Sequence, residues 1–482
     1  MVWLSNVGTR LGDTLKRSLA SDSTPSAAAP THGILAFETA KTMSRLVSLY
    51  KSLDNDEVSK LRKEVMKAEG VAYLNSEDEV LLLNLACAER LEDLDKAAAV
   101  VARLSRKCSD VGLHRFDLVY TDLKLGIVDL GKLEYGSKET KKNIEKMEKM
   151  VSLTSRLYTA LEALSELEVS ERKLKQWKQN RMKLQSHDST NFGLFNDKIA
   201  YQRKQVRHLR ETSLWNQTFN RSVGLMAHIV RIIYARICIV FGPYISSLPR
   251  VSLRNIRSSQ QRKILRDQPE FCLIEPELVT SRSGPIPSTS QPNLVRFHSQ
   301  KLNLFSGVGC KNKVFQAAGP STLGGCGLAV RYANVVVLAE RYLDSAVTIG
   351  DEARQVLYQM LPENMKLMVR SKVGKNGRAV PAEGWREAVA EIMAWLCPLA
   401  KDTLKWQAER NFEKMRFESK PPVLLLQTLH FSDKDKAEAA IAEVLVGLSC
   451  IYLYENRQSN GGEWAGVSFD GAWHARNEIF SK

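Results

Sequence analysis

The sequence predicts an all-α protein in two helical parts. Leu, Ala, Glu, Lys and Arg dominate its regular stretches. Apolar residues recur at three- and four-residue spacings, and no run alternates with the period of two that a strand requires. The 482 residues, 44% hydrophobic and 26% charged, suffice for a sizeable core. The expected division is an amphipathic N-terminal arm and linker over 1–32 and an N-terminal helical domain, with a long hairpin and a basic segment, over 33–266. A Pro/Ser-rich linker over 267–320, a C-terminal helical domain over 321–455 and an irregular tail over 456–482 follow.

Each element has its own sequence reason. In the first twenty residues Leu4, Val7, Leu11, Leu15 and Leu19 fall on one helical face with Trp3 at its tip, while Arg10, Lys16 and Arg17 lie off it. That pattern suits a membrane-contact face (Trp3, Leu4, Val7, Leu11, Leu15), a transit peptide, or a helix docked on the body. Ile34, Phe37, Ala40, Met43, Val47 and Tyr50 mark one core stripe. Val58, Leu61, Val65, Ala68 and Ala72 mark a second, opened by Asp54 with Glu57. Val80, Leu83, Cys87, Leu91, Leu94, Ala98 and Val101 mark a third, with Ser76 and Glu79 in capping-box spacing.

Residues 136–186 are charged and helix-prone, with Ile144, Met147, Val151, Tyr158, Leu161, Leu164 and Leu174 in three-four spacing. A long helix or antiparallel hairpin is expected, because Thr154 and Glu168 interrupt the seam of a long parallel dimer. A second long helix is expected from near Asn196. The apolar run 223–245 contains His228, Arg231 and Arg236, which are costly in lipid, so a buried helix is expected rather than a membrane span.

Six of the fifteen prolines fall between 267 and 320 and mark the linker. Beyond it, Pro362 should break a helix and Pro398 should end or kink one. The last helix should start at Ser432 as N-cap, with Ala440, Val444, Leu448 and Ile451 facing the core.

The formal net charge of +15 is uneven. Between Lys198 and Arg266 there are fourteen Lys/Arg and one acid, Glu211. Arg250, Arg254, Arg257, Arg262, Lys263 and Arg266 form its densest part. Guanidinium groups suit phosphate oxygens, so nucleic acid, anionic lipid, nuclear import and a solvated basic face all fit this patch.

No catalytic constellation is legible. Eight cysteines include no C-x-x-C and no Cys/His pair at metal-ligand spacing, so neither a disulfide framework nor a zinc site is expected, and a reducing compartment is. The stretch GPSTLGGCGLAVRYANVVVLAE groups Gly324, Gly325, Cys326 and Gly327 before an apolar run. It lacks the Lys and hydroxyl of a phosphate loop and the strand and third glycine of a dinucleotide site. It reads as the start of a core helix, with Leu328, Tyr332, Val335, Val336 and Ala339 as the packed face and Cys326 as a small residue permitting close packing. No cofactor and no enzymatic activity are expected.

Five stretches, GILAFETAKTMSRLVSLYKSL, LRKEVMKAEGVAYLNSEDEVLLLNLACAERLEDL, RHLRETSLWNQTF, TLGGCGLAVRYANVVVLAERYL and VLLLQTLHFSDKDKAEAAIAEVLVGLSCIYLYE, resemble the plant PSK-simulator (phytosulfokine simulator) family in the order in which they occur. The RSGP of the linker also fits. The resemblance implies an intracellular regulator or adaptor that promotes plant growth, connected to phytosulfokine peptide signalling through protein partners. It implies placement in the nucleus or at the cytoplasmic face of the plasma membrane, and it brings no catalytic residues. Family members that begin Met-Gly look N-myristoylated; Met1-Val2-Trp3 lacks that acceptor glycine.

Overall fold

The computed structural model describes residues 31–128, 130, 133–181, 189–246, 248–249, 313–343, 351–376, 382–410, 417 and 423–459. The N-terminal arm with Trp3, Leu4, Val7, Leu11 and Leu15, the basic patch Arg250–Arg266, most of the Pro/Ser-rich linker and the tail beyond Ser459 lie outside the described residues. Among the described residues the fold is all-α, with two isolated bridges, Thr31 to Thr218 and Thr322 to Asp433, as the β pairing present.

The first group of helices is α1 (Leu35–Ser52), α2 (Asn55–Lys60), α3 (Glu69–Leu74), α4 (Glu79–Ser105), α5 (Val111–His114), α6 (Phe116–Lys124), α7 (Lys138–Arg181), α8 (Ser189–Thr212) and α9 (Phe219–Phe241). The second is α10 (Lys313–Gln316), α11 (Ala329–Leu343), α12 (Asp351–Gln359), α13 (Glu363–Asn376), α14 (Ala382–Arg410) and α15 (Lys434–Ser459). In the first group α1 packs on α4, α7 and α9, and α4 packs on α9. In the second α11 and α15 pack on α14, and α13 packs on α15. One continuous hydrophobic cluster runs through both groups.

The core stripes are mostly where the periodicity puts them. Phe37, Ala40, Met43, Val47 and Tyr50 are buried on α1, and Leu83, Cys87, Leu91, Leu94, Ala98 and Val101 on α4. Ile34 and Val80, expected in those stripes, are exposed because each stands at a helix entry rather than within a packed turn.

The expected second helix is broken. After α2 the chain widens into a π-helical turn at Leu61–Val65 before α3 begins. Asp54 occupies the N-cap of α2 without a side-chain cap bond. The cap of α4 is Asp78, whose carboxylate accepts from the Val80 and Leu81 amides; Ser76 instead accepts from the Asp78 amide. A carboxylate at the N-cap satisfies two otherwise orphaned donors, which displaces the expected Ser76–Glu79 box.

Helices α7 and α8 form the antiparallel hairpin; α8 begins at Ser189, earlier than Asn196. The two polar interruptions of the seam have partners. Buried Thr154 donates to the Met150 carbonyl at 2.7 Å and accepts the Leu214 amide at 3.2 Å. Glu168 meets Arg203 at 3.4 Å across the hairpin.

Helices α9 and α15 are long and apolar enough to cross a membrane, but 72% and 67% of their apolar windows are buried inside the protein. On α9, Arg236 is almost fully buried, its Nε–H donating to the Leu53 carbonyl at 3.1 Å and its Nη2 to Asn55 Oδ1 at 2.5 Å. Its guanidinium lies 4.7 Å from the centre of the Tyr135 ring. The charge is therefore absorbed by the C-terminal end of α1 and an aromatic face, inside a protein core.

In the second group Pro362 separates α12 from α13 as expected. Pro398 does not end its helix, because α14 continues through it from Ala382 to Arg410. Ser432 is not the cap of α15; Asp433 Oδ1 accepts the Lys436 amide at 3.0 Å, and Ser432 is buried for another purpose. Ala440, Val444, Leu448 and Ile451 are buried as expected.

Candidate functional site

The two helical groups meet along a seam of buried and half-buried polar groups. On the first group α4 supplies Glu89 and Glu92, and the turn after α3 supplies Asn75. On the second, the seam is lined by α10, the end of α14 and residues 423–433, which include a 3-10 turn at Leu425–Gln427.

Glu89 is 4% exposed and uses both carboxylate oxygens across the seam. Oε1 accepts the Trp406 indole N–H at 3.0 Å, and Oε2 accepts the Leu425 amide at 2.7 Å. One turn on, Glu92 Oε2 accepts the Val314 amide at 3.1 Å. A buried carboxylate is retained only where donors meet it, and these donors belong to the other group.

Asn75 is the second fastening. Its amide donates to the Leu426 carbonyl at 2.7 Å, and its carbonyl accepts the Ser432 hydroxyl at 2.7 Å. The Asp433 amide donates to Leu74 at 2.8 Å, and Tyr73 meets Trp395 edge-on at 5.4 Å. Thr403 braces the same loop from α14, accepting the Leu429 amide at 2.9 Å while donating to Leu399 at 2.6 Å.

An aromatic stack closes the seam. Phe315 on α10 stacks on His430 at 4.2 Å between centroids and lies parallel to Trp406 at 5.5 Å. His430 Nε2 donates to the Phe315 carbonyl at 2.9 Å, the carbonyl being able only to accept. The helix α10 thus anchors the end of a segment assigned to the linker from sequence.

The glycine stretch belongs to this arrangement. Gly324 donates its amide to the His430 carbonyl at 2.9 Å, and a Cβ there would fall well within 3.0 Å of that carbonyl and of the His430 ring. Gly327 has φ +70°, the left-handed turn from which α11 starts. The amides of residues 323 to 328 are each bonded within the protein. They present no free donor set to an anion. Cys326 is exposed and bonds the Pro320 carbonyl at 3.1 Å. The expected role of Cys326 as a small packing residue is therefore filled by Gly324.

The expected packed face of α11 is confirmed in Tyr332, Val335, Val336 and Ala339, with Leu328 partly buried against the core. Tyr332 donates its hydroxyl to Glu438 at 2.6 Å, and Asn364 donates to the same carboxylate at 3.3 Å. Burial, and then Glu438, push the Tyr332 phenol well above its usual range.

Of the residues singled out from sequence, the structure places Gly324 to Gly327 at the seam; the basic patch and the arm lie outside the described residues. Asn75, Glu89, Thr403, Trp406 and His430 carry the seam without forming any spacing motif. Among the described residues no group of His, Cys, Asp and Glu could hold a metal ion.

Two family profiles match the chain. Residues 34–90 match a domain of unknown function (DUF3475), and residues 322–405 match a protein of unknown function (DUF668). Glu89 and Asn75 lie in the first and Gly324 and Thr403 in the second, while Trp406, Leu425, Leu426 and Ser432, the partners of Glu89 and Asn75, follow just after the second. Three proteins of Arabidopsis thaliana are similar to this chain. PSK SIMULATOR 1 is 24% identical over 86% of this chain and 55% of its own length. PSK SIMULATOR 3 is 24% identical over 89% and 58%, and PSK SIMULATOR 2 is 22% identical over 94% and 65%. The chain spans between about half and two thirds of the length of these curated relatives. No solved structure matches it.

The fold and seam define an all-α protein, among the described residues, in which two helical groups are held together by polar contacts. With both segments matched and the likeness extending over most of its length, the chain is similar to the PSK-simulator proteins.

Proposed function

We propose that the chain is a non-enzymatic regulator or adaptor in plant phytosulfokine signalling that promotes growth, working through protein partners. The observation that carries this reading is the use of the polar groups at the seam. Glu89 and Asn75 bind the second helical group, and Thr403 and His430 fix the loop and α10 that receive them, so that the chemistry of the seam holds the two groups in register. A fixed scaffold with a long charged hairpin suits partner binding. The names of these relatives connect them to phytosulfokine (PSK).

The test is affinity purification of the tagged chain from plant tissue, with root growth under added phytosulfokine measured in lines lacking it. A blunted growth response together with recovered signalling partners is expected. A normal response in lines lacking the chain would overturn the reading.

One observation favours a second reading, an anionic partner such as nucleic acid or lipid bound through the basic segment 198–266. Burial, and then its positive neighbours Arg221 and Lys142, lower the affinity of Lys146 for its proton, so α7 and α9 bring cations together. Binding to DNA, RNA and anionic vesicles across a salt series tests it. Steep loss of binding with salt supports this reading, and no binding at low salt removes it.

A further inference from the structure

We propose that Ser109, in the turn between α4 and α5, is a phosphorylation site for an arginine-directed protein kinase, and that the modification opens a clasp between that turn and α9. Kinases of this class read a cation three residues before the acceptor hydroxyl, through acids in their substrate groove. Among the described residues four hydroxyls stand three residues after an arginine: Ser48, Ser109, Thr159 and Ser213. Ser48 and Ser213 are buried. Thr159 is exposed but lies within the 44-residue α7, where its hydroxyl donates to the Ser155 carbonyl at 3.3 Å. Ser109 is exposed and stands outside any helix, in a short turn that can enter a groove without unwinding one. It alone of the four has a second cation, Lys107, two residues before it; the others have Leu46, Leu157 and Glu211 at that place.

The cations are open to a kinase. The Arg106 side chain is 67% exposed, and its partner Asp117 at 3.1 Å is exposed too. A surface pair of this kind contributes little and yields to a competing carboxylate. Lys107 is exposed as well.

One side chain holds the same turn to α9. Asn220 Nδ2 donates to Ser109 Oγ at 2.6 Å, and Asn220 Oδ1 accepts the Ser109 amide at 3.1 Å. Both bonds are open to solvent, so the turn opens locally without global unfolding. In the transfer Ser109 Oγ attacks the γ-phosphorus of ATP, the bond from that phosphorus to the bridging oxygen of ADP breaks, and the hydroxyl proton passes to the base of the kinase. The new tetrahedral group stands on the oxygen that Asn220 approaches to 2.6 Å, so the clasp loses its geometry. A charge of about −1.5 to −2 also arrives beside Asp110, whose carboxylate already accepts the Gly112 amide at the entry of α5. Like charge there opposes reclosure. This inference does not depend on the signalling reading.

The test incubates the full chain with ATP, magnesium and the catalytic domain of cyclic-AMP-dependent protein kinase, a reader of arginine at this spacing. Phosphate should appear on the peptide that contains Ser109 and be lost in Ser109→Ala. Replacing Arg106 and Lys107 together with Ala should slow its incorporation about tenfold, the factor that ~1.4 kcal/mol of lost recognition sets. Asn220→Ala opens the clasp and leaves the motif intact, and it should speed incorporation about threefold, as the loss of one modest hydrogen bond implies. Amide exchange across 109–114 should quicken in the phosphorylated chain, as in the Asn220→Ala chain. Far-UV circular dichroism with thermal unfolding checks that each variant keeps its fold. An unmodified Ser109, or a rate indifferent to Arg106 and Lys107, overturns the site. A rate indifferent to Asn220, or exchange unchanged by phosphorylation, overturns the clasp.

Discussion

The carboxylate of Glu89 and the indole of Trp406 meet across the seam at 3.0 Å, from α4 of the first helical group and α14 of the second. They lie 317 residues apart in the chain. The second carboxylate oxygen holds the Leu425 amide at 2.7 Å. Replacing Glu89 with Ala leaves two buried donors without acceptors, and the expected loss of stability is about 2–4 kcal/mol. Trp406→Phe removes one donor to the buried carboxylate, at a cost of roughly 1–3 kcal/mol. Because the two residues share a bond, the double variant should lose less than the sum by about 1 kcal/mol or more. Urea unfolding of the four chains measures this coupling.

The glycines of the signature stretch differ in what they do, and substitution separates them. A methyl group at Gly324 would collide with the His430 carbonyl and ring, and backbone cannot move aside as a flexible side chain can. Gly324→Ala should therefore destabilise by roughly 2–4 kcal/mol. At Gly327 there is open space, and only the left-handed φ of +70° is at issue. Gly327→Ala should cost about 1–2 kcal/mol. Cys326→Ala, at an exposed position, should change stability by less than about 0.5 kcal/mol. Thermal or urea midpoints that reversed this order would contradict the seam described above.

Arg236 gives a contrast between a core helix and a lipid-facing one. In lipid, Arg236→Leu would remove the most costly residue of α9 and favour insertion. In this fold it removes the donor to the Leu53 carbonyl and the Asn55 side chain, and the cation over Tyr135. The expected result is a loss of about 2–4 kcal/mol in urea unfolding. A stabilised variant would argue that α9 is not a core helix.

What the sequence disclosed follows from the range of the interactions. Local signals carried the all-α class, the α7–α8 hairpin and the buried nature of α9, because three-four periodicity repeats over many turns. Thr154 and Glu168 looked like seam defects, and their partners, the Leu214 amide and Arg203, become visible only once the hairpin closes. Caps were misplaced by one or two residues at α4 and α15, where Asp78 and Asp433 outcompeted neighbouring serines for the free amides. Pro398 sits within a continuous helix, so the local rule left two outcomes open and the packing of α14 decided against an end. The seam was invisible for a stronger reason. Glu89 resembles any acid on a charged helix until its partner arrives from more than three hundred residues away.

The pH dependence of stability follows from two histidines. His32 is 3% exposed; its Nδ1–H donates to the Gln217 carbonyl at 3.0 Å, and its ring lies tilted against Phe219. Burial lowers its pKa, and the Gln217 bond only partly offsets this. Burial, and then Arg231, lower His228 in the same direction. The folded chain therefore favours both neutral rings, whereas the unfolded chain takes up protons near pH 6.5. Below that pH the unfolded state binds more protons, so stability falls as pH drops from about 6.5 toward the lower folded values. Above about 7.5 neither state is protonated and this contribution is flat. Burial raises the pKa of Asp402, which has the opposite slope but acts in the more acidic carboxylate range. Urea midpoints at pH 7.5 and 5.5 should show the loss, and a chain carrying His32→Gln and His228→Gln should show a smaller one. Equal slopes in the two chains would place the dependence on other groups.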